Sequence, residues 1–144
     1  MSLLKRLWQR RHKTLPARQQ LGRRSEQLAA RFLRANGYSI EAANVRYPVG
    51  EIDLVAREGH TLCFVEVRSA RSLQWGGPMA SVGDRKRRCL IRAARWYLHR
   101  RPPTGEVRFD VIAVTWGPSD VPSFELVRGA FTADGMERKA NFGF

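Results

Sequence analysis

The sequence predicts one α/β domain, a mixed sheet flanked by helices in the order αβββαβ. Three observations carry this prediction. Two segments place apolar residues at helical spacing, three consecutive β-rich runs are joined by short glycine-containing connections, and a later run is apolar enough for burial on both faces. A chain of 144 residues is the size of one such domain and has room for a single core.

The first helix is expected over residues 17–36, where Leu21, Leu28, Ala29, Phe32 and Leu33 recur at i, i+7, i+8, i+11 and i+12. Gly37 ends it, a role that glycine fills at helix C-termini. Residues 38–46, 51–57 and 61–68 then read as strands. Pro48-Val49-Gly50 and Glu58-Gly59-His60 join them tightly enough to form an antiparallel meander. Residues 69–78 break the pattern, with Gly76-Gly77-Pro78 making an irregular loop. A second helix is expected over residues 82–100, ending before Pro102-Pro103. Residues 107–114 form a further strand, buried on both faces at Val111-Ile112-Ala113-Val114, and residues 124–127 add a short edge strand. The domain is thus expected over 17–131, between a basic, flexible tail at 1–16 and a loosely packed tail at 132–144.

The formal charge is +13, from 26 Lys+Arg against 13 Asp+Glu. A field of that sign attracts polyanions, nucleic acid first and an anionic membrane surface second. Residues 1–25 carry eight of the basic side chains and no acid. Such a segment serves either as a solubilising tail or as an auxiliary nucleic-acid contact. Its Leu3, Leu4, Leu7 and Trp8 also suit a short amphipathic helix, and its arginine-rich, acid-free character resembles a transit peptide. Cys63 and Cys89 lack metal-ligand spacing, so neither a zinc site nor a disulfide framework is expected, and a reducing cytoplasm is the expected compartment. No apolar run approaches the roughly 20 residues that span a bilayer.

Three acids stand out. Glu26 lies on an otherwise basic helix near the edge of its apolar stripe. Asp53 lies inside Gly50-Glu51-Ile52-Asp53-Leu54-Val55, and Glu66 inside Leu62-Cys63-Phe64-Val65-Glu66-Val67-Arg68. A carboxylate withdrawn from water needs a cation or hydrogen bonds to offset the loss. Side-chain alternation puts Glu66 and Arg68 on the face of Leu62 and Phe64, and puts Asp53 with Glu51 and Val55, opposite Ile52 and Leu54. If the hairpin sets Asp53 beside Glu66, two carboxylates and a guanidinium converge as a cradle for Mg²⁺ or Mn²⁺, with Glu26 and the Val67 carbonyl completing the shell. A cation so held, with Arg68 beside it, is what phosphodiester hydrolysis requires. The plainer alternative pairs Asp53 with Arg68 across strands and leaves Glu66 in solvent.

Lys86 shares a helical stripe with Leu90, Ala93 and Tyr97, which directs it toward the sheet. It is either a cation delivered to a phosphate site or a lysine whose stem packs while its ammonium escapes. Arg92, Arg95, Arg100 and Arg101 read as a solvated face. Trp75 can stack on an unpaired base or act as a packing anchor. Arg23, Arg46, Arg71, Arg85 and Arg88 are the remaining candidates for nucleic-acid contact, and His12, His60 and His99 receive no catalytic role.

These residues resemble the YraN-like (UPF0102) family of small bacterial proteins, within the PD-(D/E)xK nuclease-like superfamily, and are similar in core to archaeal Holliday junction resolvases. The resemblance runs from Gly22-Arg23-Arg24-Ser25-Glu26 through Gly37-Tyr38, Asn44-Val45-Arg46, Gly50-Glu51-Ile52-Asp53-Leu54-Val55, Phe64-Val65-Glu66-Val67-Arg68 and Lys86 to Arg108-Phe109-Asp110-Val111-Ile112-Ala113-Val114. It implies a restriction-endonuclease-like core and a Mg²⁺-dependent endonuclease acting on DNA, branched or structured DNA included, and working as a homodimer. Glu26 takes the superfamily's helix acid, Asp53 and Glu66 its metal acids, and Arg68 its usual lysine. Arginine stays protonated and cannot take a proton from water, though it still stabilises negative charge. A non-catalytic nucleic-acid-binding protein that retains the fold is therefore the alternative.

Overall fold

The computed structural model describes residues 15–71 and 82–133. Within them the elements are α1 (Ala17–Ala35), β1 (Tyr38–Tyr47), β2 (Gly50–Glu58), β3 (Thr61–Ala70), α2 (Asp84–Arg100), β4 (Val107–Trp116) and β5 (Pro122–Phe131). Five strands form one sheet in the order β1-β2-β3-β4-β5. β1, β2 and β3 are the expected antiparallel meander, β4 lies parallel to β3 after the α2 crossover, and β5 returns antiparallel to β4. The mixed αβββαβ arrangement is as predicted.

The helices cover opposite faces of this sheet. Leu62 and Phe64 of β3 pack with Leu90, Ile91, Ala94 and Tyr97 of α2, while Cys63 and Val65 pack with Ala29 and Leu33 of α1. Alternation along β3 therefore feeds two cores at once. That double burial explains why β3 and β4 are apolar almost without interruption, since a strand covered on both sides has no solvent face to mark.

Helix ends follow their sequence signals. Gly37, at φ +89°, takes the left-handed conformation after α1 that other residues adopt only with strain. Asp84 opens α2 with a favourable charge for the helix dipole. Arg85, Lys86 and Arg87 then place three cations in the same first turn, where the dipole opposes them. Gly50 matters for another reason: a Cβ there would sit 2.7 Å from the carbonyl oxygen of Cys89, so the β1–β2 turn approaches α2 more closely than any larger residue allows.

Two expectations need correction. β5 spans ten residues, not the four at 124–127, because a register shift against β4 between Phe109 and Val111 interrupts the alternation that would have shown its length. Ile52 and Leu54 do not lie together opposite Asp53. Ile52 joins Val55 in the α2-side core and Leu54 faces α1, so the pleat changes at Asp53. Among the described residues no helix is long and apolar enough to cross a membrane. The predicted loop residues Trp75 to Pro78 and most of both predicted tails lie outside the described residues.

Candidate metal and phosphate site

The site forms where β2 leaves β3. Their ladder runs from Glu58↔Thr61 to Leu54↔Val65 and stops one pair short of Asp53 and Glu66. β3 continues along β4 as far as Ala70, so only its β2 edge opens. The Val67 N–H, left without a strand partner on that edge, donates instead to Asp53 Oδ2 at 2.8 Å. A strand residue points its N–H and C=O to the same edge, so the Val67 carbonyl faces the gap too.

Glu66 is 1% exposed. Its Oε1 lies 3.4 Å from Lys86 Nζ and 3.5 Å from Arg68 Nη1. Its Oε2 is buried and has no hydrogen-bond donor among the described residues. The neighbouring Asp53 carboxyl satisfies that oxygen only if the pair shares a proton, and otherwise two buried charges face each other. Burial, followed by the Asp53 charge, pushes Glu66 up to about 8 against the pull of Lys86 and Arg68. Burial also raises Asp53, opposed by the Val67 N–H and Lys86. Both carboxyls are thus pushed toward the protonated form, and burial disfavours two negative charges on the pair at once.

Glu26 stands behind this pair. Burial and the charges of Asp53 and Glu51 push it up to about 7, while a hydrogen bond from Asn44 and the charge of Arg23 oppose the rise. Among the described residues, no three His, Cys, Asp or Glu side chains group closely enough to form a ready ligand set. Glu26 is thus within electrostatic reach of Asp53 without joining the pair. The expected three-acid cluster is instead a two-carboxylate cradle with a third acid set back.

Asn44 was not singled out as a site residue from sequence. The pairs Ala43↔Leu54 and Val45↔Ile52 bracket it, so Asn44, Asp53 and Glu66 fall in one rank across three strands. Its φ of +51° is a left-handed conformation inside a strand, one that asparagine tolerates better than most residues. Its signals in the sequence are its place in the Asn44-Val45-Arg46 segment of the family resemblance and an asparagine within a β-rich run, and neither assigns it a role.

A cleft of about 450 Å³ adjoins the pair, lined by Gly50, Glu51, Gly83, Arg85, Lys86, Cys89 and Leu90. Lys86 belongs to both cleft and pocket, so its side chain is directed toward the sheet as its helical spacing suggested. Among the arginines, Arg85 lines the cleft, Arg46 is 3.5 Å from Glu51, and Arg23 acts on Glu26. Arg88 is exposed on α2, and Arg71 is 3.9 Å from Asp120, which also holds Arg24 at 3.0 Å. Cys63 and Cys89 are free thiols, and burial pushes the Cys63 thiol up to about 12, well away from nucleophilic use.

The donor set suits a hard divalent cation. Two carboxylates, one with an unpartnered buried oxygen, and a carbonyl facing the same gap are oxygen ligands of the kind Mg²⁺ and Mn²⁺ prefer.

A pH dependence follows. Glu66 and Glu26 hold their protons more tightly folded than unfolded, so their contribution to stability is full below about pH 4.5 and is lost as pH rises through about 7 to 8. Glu58 is the reverse case. Hydrogen bonds from Arg128 and Arg108 hold it down to about 2, so its contribution is lost as pH falls below about 4.5. Metal-free protein is therefore expected to unfold at progressively lower temperature from pH 5.5 to 8.5. Thermal melts in chelator check this, and Glu66→Gln should flatten the slope.

Comparison with known sequences places the chain. The profile described as "Uncharacterised protein family UPF0102" matches residues 25–114, which include Glu26, Asn44, Asp53, Glu66, Arg68 and Lys86. A UPF0102 protein of Desulfosudis oleivorans is 46% identical over 121 residues, covering 83% of this chain and 96% of that protein. One of Syntrophotalea carbinolica is 47% identical over 116 residues, covering 80% and 94%. One of Symbiobacterium thermophilum is 45% identical over 116 residues, covering 78% and 97%. With the matched segment spanning α1 to β4 and carrying every residue of the pocket, this chain belongs to the UPF0102 family.

Proposed function

We propose that the protein is a divalent-cation-dependent endonuclease acting on DNA, with its centre at Asp53 and Glu66. The observation that carries this reading is the buried, donorless Glu66 Oε2 beside a second carboxyl, in a pocket that also presents Lys86 and Arg68. Lys86 and Arg68 approach one Glu66 oxygen, and the other, beside Asp53 at the edge of an open cleft, is the kind of oxygen donor that a divalent cation takes.

Asp53 and Glu66 would hold Mg²⁺ or Mn²⁺ with the Val67 carbonyl. When bound, the cation would polarise a phosphodiester and lower the pKa of a water. The Val67 N–H fixes Asp53, so its free oxygen is aimed before substrate arrives. Arg68 and Lys86, both with partly exposed side chains, would turn from Glu66 to an incoming phosphate and stabilise the charge that develops on its oxygens. Glu26, near neutral pKa and linked to Asn44, is suited to hold a proton at the back of the pocket. The cations in the first turn of α2 are costly for the helix and useful at a phosphate.

Arg68, at the position of the superfamily's lysine, favours the alternative of a DNA-binding protein without turnover. Both readings meet one test. Wild-type protein is incubated with duplex, single-stranded, splayed and four-way DNA in Mg²⁺, Mn²⁺ or chelator. The nuclease reading expects cation-dependent nicks, and Arg68→Lys is expected to retain or raise the rate about tenfold or less because the charge stays in place. Salt-sensitive binding without cleavage by either protein supports the alternative.

A further inference from the structure

One aromatic surface lies outside the reaction proposed above. Trp96 of α2 is 42% exposed, although Ala93, Ala94, Tyr97 and Leu98 around it are buried. Its ring rests against Tyr47 of β1, with centroids 5.6 Å apart and planes tilted by 43°. An indole left this open presents a large flat apolar face, with a polar N–H, to solvent.

We infer that the Tyr47–Trp96 pair is a stacking platform for an unpaired nucleobase, so that the preferred DNA carries a single-stranded segment beside the part entering the carboxylate pocket. This rests on the reading of that pocket as a site for DNA. Its placement comes from the fold. The β1–β2 turn meets α2 at Gly50 and Cys89, where the cleft opens, and Tyr47 pairs with Gly50 across the turn. Trp96 lies seven residues beyond Cys89, two turns along the same side of α2. From Lys86, at the pocket, to Trp96 is ten residues, about 15 Å at the helical rise of about 1.5 Å. That is roughly four nucleotide steps at about 3.4 Å each.

Charge selects the occupant. α2 carries seven cations, Arg92 and Arg100 one turn to either side of Trp96 among them, against the single acid Asp84. Arg46, next to Tyr47, is exposed. An aromatic face framed by guanidinium groups suits a polyanion that also offers flat rings, and base–aromatic stacking tolerates any sequence. Trp75, for which the sequence offers base stacking or a packing role, lies outside the described residues; Trp96 has the position and exposure for stacking.

The test measures binding in chelator, where cleavage is absent, to labelled blunt duplex, splayed duplex and single strand. Trp96→Leu keeps apolar packing on Tyr47 and removes the flat face; Trp96→Phe keeps a ring. Trp96→Leu is expected to weaken splayed and single-stranded DNA roughly tenfold and blunt duplex less than about twofold, with Trp96→Phe recovering most of the loss. Equal losses on all three DNAs, no loss on any, or conversion of a dimer to a monomer on sedimentation would overturn the inference. The cleavage assay keeps the two claims apart. Cation-dependent cutting with no selective effect of Trp96→Leu sinks the platform alone, whereas selective binding without cutting sinks the nuclease alone.

Discussion

Asp53→Asn is expected to abolish cation-dependent cleavage while making the metal-free protein more stable. The asparagine oxygen still accepts the Val67 N–H, so the gap between β2 and β3 keeps its shape. Its amide can donate to Glu66, which gives the orphan oxygen the partner it lacks. What disappears is the Asp53 charge, which helps to keep Glu66 protonated in the metal-free protein and which a divalent cation would balance. Loss of a direct ligand is expected to lower the cleavage rate on the order of 10³-fold, about 4 kcal/mol of transition-state stabilisation. Removal of that buried charge, and of the cost of keeping Glu66 protonated above its ordinary range, is expected to raise metal-free stability by about 1 kcal/mol or more at neutral pH. Cleavage rates and thermal melts on the same preparation check both signs. A purely structural role for Asp53 predicts that stability falls.

The second large effect lies at the far end of the sheet. Asp110 is fully buried, yet nothing about it is unsatisfied. Arg108 grips it with two bonds of 2.7 and 2.8 Å, the Tyr38 hydroxyl donates at 3.1 Å and the Gly129 N–H at 2.9 Å. Arg108 also reaches Glu58 at 2.9 Å, and Arg128 closes on the same glutamate at 2.7 Å. The network ties the end of β2 and the start of β1 to β4 and β5. Arg108→Ala leaves the Asp110 charge buried with two neutral donors, and breaking a buried pair in this way costs about 3–5 kcal/mol. At about 4 °C per kcal/mol for a domain of this size, the melting temperature should fall by roughly 12 °C or more. Replacing both partners, as Arg108→Met with Asp110→Leu, should restore much of that loss because no charge is left alone. DNA binding by the folded protein at low temperature should survive both changes, since neither residue contributes to the pocket.

The contrast between these two acids shows what sequence could and could not reveal. Asp53 and Asp110 both interrupt apolar β-runs, and at the level of composition they are alike. They differ in satisfaction: both oxygens of Asp110 accept hydrogen bonds, from Arg108, Tyr38 and Gly129, whereas Asp53 lies beside Glu66, which keeps an unpartnered oxygen. Strand periodicity correctly joined Glu66 to Arg68, and helical periodicity correctly aimed Lys86, because each depends on the regular geometry of one element. The pleat change at Asp53, the left-handed Asn44 and the full length of β5 depend on departures from regularity that neighbouring strands impose. Those are set by pairing across the sheet, and no local window of sequence contains them. Exposure of Trp96 was hidden for a similar reason: helical spacing says which residues share a face, but the reach of the β1–β2 hairpin decides where that face ends.

The central claim is that Asp53 and Glu66 together bind a divalent cation. Titration calorimetry with Mn²⁺ at pH 7, in two buffers of different ionisation enthalpy, tests it without reference to any substrate. The account predicts binding by the wild type with release of the proton that the pair shares, and loss of that binding in the Asp53→Asn, Glu66→Gln double variant. Equal binding by both proteins, or no binding by the wild type, would contradict it.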